Sequence, residues 1–142
     1  MINMKNALPF CFAILATINF LHCQDKDESF VWKAEKSSTD QILVTVEVAN
    51  NRYLYSDSTR VSVFSSRGES LKLFKAPKAE KYIDEFNQEN IVLKTGVHQW
   101  VFNTDDNPPY NVTIRYQGCS KKPFLCYPPS NREIKIENGI IR

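Results

Sequence analysis

The feature that most constrains this chain is a strict alternation of apolar and polar residues in two of its segments. Between Gln41 and Ala49 every second residue is a β-branched aliphatic, and Leu43 is the one apolar residue out of phase. Successive side chains of a β-strand point to opposite faces, so this period predicts strands with one buried face. The predicted inward residues are Ile42, Val44, Val46 and Val48 in the first segment, and Tyr110, Val112, Ile114 and Tyr116 in the second.

Shorter apolar stretches, at intervals of about ten residues, predict further strands. Asn50-Asn51 and Thr95-Gly96 have the composition of turns, and we expect them to end the strands beside them. Seven or eight short strands separated by turns predict an all-β fold, an antiparallel β-sandwich. The additional stretches are 30–33, 52–55, 60–64, 70–74, 91–93, 98–102 and the residues around Ile134 and Ile136.

The segment from Ala79 to Asn90 fits neither pattern. Its apolar residues Tyr82, Ile83 and Phe86 do not form one face of a helix. We predict a loop, which is long for a hairpin connection, and long loops in compact domains are often functional.

The N-terminal segment from Met1 to Cys23 has the features of a targeting sequence. Lys5 precedes 15 mostly apolar residues, fewer than the roughly 20 that a membrane-spanning helix needs. We expect a signal peptide or a lipoprotein signal at 1–23, with Cys23 as the possible lipidation site, a short leader at 24–29 and one domain at 30–142. An uncleaved anchor is the remaining alternative. Each alternative places the domain outside the cytoplasm, in the periplasm or an equivalent compartment, and it contacts a membrane only if Cys23 is lipidated or the segment is retained.

Composition excludes several classes of function. The net charge is +2 and no basic run exceeds Lys121-Lys122, which argues against nucleic-acid binding. After residue 23 the chain contains two cysteines and one histidine, His98, and this set is too small for the four ligands that zinc prefers. The same set offers no placed base for cysteine-protease chemistry. We therefore predict no metal and no cofactor.

The two cysteines, Cys119 and Cys126, lie seven positions apart among aromatic residues and prolines. One interpretation is a structural disulfide, which would contribute roughly 2.5 kcal/mol by closing a loop of about eight residues. The other is a redox pair that exchanges disulfides through a thiolate and a mixed disulfide. Spacing alone does not distinguish these two interpretations.

The residues around this pair resemble a known family. Tyr116-Gln117-Gly118-Cys119 and Cys126-Tyr127-Pro128-Pro129 resemble the active-site hairpin of the periplasmic N-terminal domain of the DsbD thiol:disulfide interchange proteins. Three further segments, 52–55, 84–86 and 100–102, agree with that family in order and spacing, and the similarity extends from about Phe30 to Ile136. The resemblance implies an immunoglobulin-like sandwich, in a stand-alone form, with the cysteine pair on a hairpin at one end.

The resemblance also implies roles for individual residues. Cys126 would exchange with the partner and Cys119 would resolve the mixed disulfide. An aromatic lid excludes small thiols from a sulfur pair, and nearby carboxylates raise the pKa of a thiol. The surrounding residues implied in this way are the lid Phe86, the acids Asp84 and Glu85, and the tyrosines Tyr53, Tyr55 and Tyr127.

The function implied by the resemblance is an extracytoplasmic relay of reducing equivalents, a component of the protein-disulfide reductase type. Thioredoxin-like periplasmic proteins would accept the electrons, and a membrane-bound or thioredoxin-like donor on another polypeptide would supply them. The chain departs from the family in its longer Cys-x6-Cys loop, which contains Lys121, Lys122 and Pro123. The alternative function is an immunoglobulin-like binding module whose disulfide only shapes a recognition loop.

Overall fold

The computed structural model describes residues 29–37 and 40–137 in full, and residues 140–141 as backbone only. The expected signal at 1–23 and most of the expected leader lie outside the described residues. In the described part of the chain, no helix has the length and apolar character needed to cross a membrane. Eleven strands make up the described fold: β1 Phe30–Lys36, β2 Gln41–Tyr55, β3 Arg60–Phe64, β4 Lys72–Lys75, β5 Glu80–Ile83, β6 Glu89–Asn103, β7 Tyr110–Tyr116, β8 Gly118–Lys121, β9 Phe124–Cys126, β10 Ser130–Glu137 and β11 Ile140–Ile141.

The strands form two antiparallel sheets. The larger sheet has the order β4-β6-β2-β8-β9, with β1 paired to β2 and β5 paired to β6. The smaller sheet has the order β11-β10-β7-β3. The all-β antiparallel sandwich predicted from the alternating segments is confirmed.

The core lies between the sheets and uses the residues that the alternation selected. All four predicted inward residues of β2 are at most 2% exposed, and all four of β7 are buried as well. Trp32 of β1 packs against Trp100 of β6, with ring centroids 5.6 Å apart. The period-two pattern therefore identified the buried face correctly, because an alternating strand can bury only one side against the opposite sheet.

The predicted ends of two strands are wrong. β2 continues through Asn50-Asn51 to Tyr55, and β6 continues through Thr95-Gly96. Asn51 has a φ of 57° and Gly96 a φ of 130°, so the turn-forming residues are accommodated inside the strands. The register shifts between Val48 and Tyr53, which is a β-bulge. Beyond the bulge β2 exchanges its neighbour β1 for β8, and this exchange places the cysteine hairpin.

The prediction of a loop from Ala79 to Asn90 is also wrong. Most of this segment forms an antiparallel hairpin, in which β5 pairs with Glu89–Val92 at the start of β6. The turn between the strands is short, and the carboxylate of Asp84 accepts hydrogen bonds from the backbone N–H groups of Phe86 and Gln88. The sequence pattern for a strand is weak here because β5 is largely exposed. This strand depends on pairing with β6 rather than on an apolar face of its own.

Candidate redox site

The cysteine pair occupies a two-stranded hairpin. Cys119 on β8 lies directly opposite Cys126 on β9, and the two form a disulfide with an S–S distance of 2.08 Å. The hairpin turns at Lys122 and Pro123. The predicted position of the pair on a hairpin is confirmed.

Gly118 explains why the hairpin can lie so close to β2. It is paired with Leu54, and the Tyr55 N–H donates to the Gln117 carbonyl at 2.9 Å. A Cβ atom at position 118 would lie 2.4 Å from Cζ of Phe30 and 2.5 Å from the carbonyl oxygen of Tyr53. Neither approach is sterically possible, so only glycine permits this packing.

The two cysteine residues differ in exposure. Cys119 is 0% exposed, whereas Cys126 is an exposed residue. Cys119 packs in a small cluster that is separate from the main core. We call this the sulfur cluster; its members are Tyr53, Tyr55, Tyr82, Val92 and Cys119. Cys126 is therefore the member of the pair that solvent reaches.

The hydroxyl group of Tyr55 lies beside both sulfurs. Its oxygen is 3.2 Å from Sγ of Cys119 and 3.8 Å from Sγ of Cys126. A disulfide sulfur has no hydrogen, so in this state the hydroxyl is the donor. The expectation that Tyr55 lies next to the sulfurs agrees with this geometry.

Tyr53 lies opposite Cys119 in the strand register and is fully buried. Among the described residues its hydroxyl has no hydrogen-bond partner within 3.5 Å. Burial is the largest cause that raises the pKa of Tyr53 far above its usual value, followed by interactions with Tyr55, Tyr82 and Asp84. Tyr53 therefore stays neutral at physiological pH and contributes a buried O–H group to the sulfur cluster.

The three predicted cap residues lie in the turn between β5 and β6. Asp84 is held within that turn, accepting hydrogen bonds from two backbone N–H groups and from Nδ2 of Asn90. Glu85 is exposed. Phe86 is 68% exposed, and its ring packs edge-on against Phe124, two positions before Cys126, at 5.3 Å between centroids. The turn thus contacts the cysteine hairpin, and the role of Phe86 as a lid remains a prediction.

A second contact joins the same two hairpins. Nζ of Lys121 lies 4.7 Å from the ring centroid of Tyr82. The sequence had not assigned Tyr82 or Phe124 to the site. Recognising β5 as a strand would have indicated Tyr82, because its side chain then lies on the same face as its partners on β6.

Tyr127 anchors the chain where it leaves the hairpin. Its N–H donates to the Gly118 carbonyl at 2.9 Å, and its ring packs edge-on against Phe30. Nε of Arg52 donates to its hydroxyl at 3.1 Å, and Oγ of Ser29 lies 3.2 Å from that hydroxyl. The structure therefore gives Tyr127 a positioning contact, through Arg52, that sequence reasoning had missed.

In residues 29–37 and 40–137, no group of three or more His, Cys, Asp or Glu side chains could hold a metal ion. His98 is occupied, since its Nε2 lies 2.6 Å from the carbonyl oxygen of Lys94.

The sequence of the chain is similar to that of the N-terminal region of DsbD proteins. The family model described as "Thiol:disulfide interchange protein DsbD, N-terminal" matches residues 21–138. The thiol:disulfide interchange protein DsbD of Pseudoalteromonas atlantica is 33% identical over 111 residues, covering 78% of this chain and 18% of that protein. DsbD 1 of Pseudomonas aeruginosa is 29% identical over 114 residues, covering 80% of this chain and 19% of that protein. The chain thus spans about a fifth of the length of these relatives.

Solved structures show the same likeness. The reduced N-terminal domain of DsbD from Neisseria meningitidis superposes with a TM-score of 0.64 at 24% identity, covering 82% of this chain and 90% of that one. A structure of the complex between the DsbD and PilB N-terminal domains of the same organism gives a TM-score of 0.60 at 25% identity, covering 85% and 91%. The immunoglobulin-like form of the sandwich is confirmed. With a family match over most of its length and a cysteine hairpin in the expected place, the chain belongs to the family of DsbD N-terminal domains.

Proposed function

We propose that this protein is a thiol–disulfide exchange module that passes two electrons from a donor to an oxidised partner protein through Cys119 and Cys126. The observation that carries the proposal is the unequal exposure of the two cysteine residues. A buried Cys119 and an exposed Cys126 on one hairpin support different roles for the two residues. Family membership supports exchange as the chemistry.

The forward reaction starts from the reduced pair. The thiolate of Cys126 attacks one sulfur of the partner's disulfide, forms a mixed disulfide, and releases the partner's other sulfur as a thiolate. The thiolate of Cys119 then attacks Sγ of Cys126 and expels the partner's remaining sulfur. The pair ends as the disulfide seen here, and the partner gains two electrons and, after protonation, two protons.

Re-reduction runs the same steps backwards. A donor thiolate attacks Sγ of the exposed residue Cys126, and Cys119 leaves as a thiolate inside the sulfur cluster. Burial in apolar surroundings disfavours that charge and would slow its departure. The Tyr55 hydroxyl, 3.2 Å from Sγ of Cys119, is placed to donate a hydrogen bond to the developing thiolate. We assign Tyr55 this role of stabilising the leaving group.

The partners are assigned by chemistry. Acceptors are thioredoxin-like proteins with a reducible disulfide, and the donor is a membrane-bound or thioredoxin-like dithiol on another polypeptide. A complex of a related DsbD N-terminal domain with a PilB N-terminal domain supports protein partners of this kind. The compartment is extracytoplasmic, where disulfides persist. Cleavage near residue 23, with or without a lipid on Cys23, remains part of the proposal.

Single-cysteine variants test the proposal. Cys119→Ala keeps the attacking thiol but cannot resolve the intermediate, so it should accumulate a partner-linked mixed disulfide that dithiothreitol releases. Cys126→Ala should form no such adduct, because its remaining thiol is buried. The double variant Cys119→Ala/Cys126→Ala is the matched control. Equal adduct formation by both single variants would contradict the assigned roles.

The reduction potential separates this proposal from the binding-module alternative. A structural disulfide typically has a potential below about −300 mV and resists biological dithiols. Equilibration of the wild-type protein with reduced thioredoxin should convert a measurable fraction to the dithiol. A disulfide that stays fully oxidised against excess reduced thioredoxin would favour the purely structural role.

A further inference from the structure

We propose that Arg60 and Arg115 form an anchor for an acidic side chain of the protein that exchanges disulfides with this domain. We call these two residues the arginine pair. The inference rests on the exchange function proposed above and adds to it a contact that selects the partner.

The arginine pair lies on the outer face of the smaller sheet. Arg60 on β3 and Arg115 on β7 are directly opposite each other in the strand register, and both side chains are exposed. Residues paired in this way have Cβ atoms about 5 Å apart, and two like charges at that separation destabilise the sheet. Folding alone does not explain this juxtaposition.

The charges of the arginine pair are not neutralised within the described chain. Some other cations have close acidic partners: Lys81 lies 2.9 Å from Glu89, and Lys135 lies 2.8 Å from Glu137. In residues 29–37 and 40–137, no carboxylate oxygen lies within 4.0 Å of a guanidinium nitrogen of Arg60 or Arg115. Guanidinium groups bind carboxylates in a bidentate geometry, so an external carboxylate fits both the charge and the donors.

The arginine pair borders two adjoining concavities. One has a volume of about 260 Å³ and also includes Ser58 and Gln117 in its lining. The other, of about 360 Å³, includes Asn131 and Arg132. The acids Asp57 and Glu133 contribute one to each lining, which leaves three arginines against two carboxylates. The surface is therefore a polar recess with a positive surplus, suited to an acidic side chain with hydrogen-bonding neighbours.

The first concavity is linked to the redox site through Gln117. Its Gln117 accepts the N–H of Tyr55, the residue that touches both sulfurs, and donates through Nε2 to the carbonyl of Tyr127 at 3.4 Å. Arg115 precedes Cys119 by four residues, or about 13 Å along an extended chain. A standard interface of roughly 800 Å² per partner reaches about 16 Å from its centre. Between Arg115 and Cys119 the chain leaves the smaller sheet and enters the larger one. A partner protein that contacts both the arginine pair and the cysteine hairpin would therefore cover this end of the sandwich. The group expected to bind the arginine pair is therefore a carboxylate of the partner protein.

A defined peptide tests the anchor without knowledge of the natural partner. The probe is a fluorescent hexa-aspartate peptide, compared with hexa-asparagine, at low ionic strength. We expect Arg60→Gln/Arg115→Gln to weaken hexa-aspartate binding about tenfold. The matched control Lys72→Gln/Lys75→Gln removes the same charge from β4 and should leave binding within about twofold of wild type. Thermal unfolding should show that the arginine variant is folded, since it removes a like-charge opposition.

Exchange kinetics connect the anchor to function. The arginine variant should reduce the rate of exchange with reduced thioredoxin several-fold and leave the rate with dithiothreitol unchanged. The anchor would be overturned if both double variants weakened peptide binding equally, or if the arginine variant did not weaken it. It would also be overturned if the arginine variant exchanged with reduced thioredoxin at the wild-type rate. Binding to phosphatidylglycerol vesicles through the arginine pair, without peptide binding, would also overturn it in favour of a lipid. A wild-type disulfide inert to every dithiol would refute the exchange function instead, while the peptide result would still decide the anchor.

Discussion

The main core and the sulfur cluster are both buried, but they are built from different side chains. The core between the sheets consists of aliphatic residues such as Ile42 and Val44 together with aromatic rings, and it requires only complementary shapes. The sulfur cluster contains three tyrosines around one cysteine, and it places the hydroxyl group of Tyr55 next to the sulfurs. Burial stabilises the fold in the first region, and under the proposed function it controls a reactive atom in the second. The two regions should therefore respond separately to substitution.

The largest expected effect is on the main core. Ile42→Ala removes a side chain that is 0% exposed and should lower the free energy of unfolding by about 2–5 kcal/mol, measured by urea denaturation. The rate at which dithiothreitol reduces the native disulfide should stay within about twofold of wild type. Val31→Ala, at a half-exposed position of the neighbouring strand, is the control and should change stability by less than about 0.5 kcal/mol. A matching change in reduction rate would show that the two regions are coupled.

The next largest effect is on the rate of disulfide reduction rather than on stability. Tyr55→Phe removes the hydroxyl that lies 3.2 Å from Cys119 and should slow reduction by dithiothreitol about tenfold, because a hydrogen bond to a charged group is worth about 1.5–3 kcal/mol. Stability of the oxidised protein should change little. Tyr82→Phe is the control. It removes another hydroxyl of the sulfur cluster, one that is not hydrogen-bonded to either sulfur. Equal slowing by both variants would contradict a specific role for Tyr55.

A pH effect tests the burial of the Tyr53 hydroxyl. Its pKa is raised in the folded state, mainly by burial, so above about pH 10 the unfolded chain loses a proton that the folded protein retains. Stability is thus unaffected below pH 10 and falls as pH rises further, by at most about 1.4 kcal/mol per pH unit from this group. The difference between the urea midpoints at pH 8 and pH 10.5 should be smaller in Tyr53→Phe than in wild type. An identical pH dependence in both proteins would disprove the assignment.

The smallest effect concerns the contact between the hairpins. Phe86→Ala and Phe124→Ala each remove one ring of an edge-to-face pair, an interaction worth about 0.5–1.5 kcal/mol. Each should speed reduction by a small thiol about threefold if this contact holds the turn over the sulfurs. Phe74→Ala, which removes a ring 64% exposed on the distant strand β4, is the matched control. Unchanged rates in both test variants would remove the lid from the mechanism.

Some features could be predicted because they are local. Alternation in β2 and β7 identified the buried face, since the period of side-chain direction follows from strand geometry alone. The resemblance around Gly118 and Cys119 located the hairpin and the pair. The predicted turns at Asn50-Asn51 and Thr95-Gly96 failed because residues suited to turns also fit a bulge, and only pairing with neighbouring strands determines which forms.

By itself the sequence determined the fold class, the buried faces of β2 and β7 and the family of the domain, because these depend on residue type and spacing along the chain. Tertiary structure alone decided that Cys119 is buried while Cys126 is exposed, and that Arg60 opposes Arg115. Each of these depends on which distant strands become neighbours. That choice is made by the packing of the whole sandwich, and no local pattern records it.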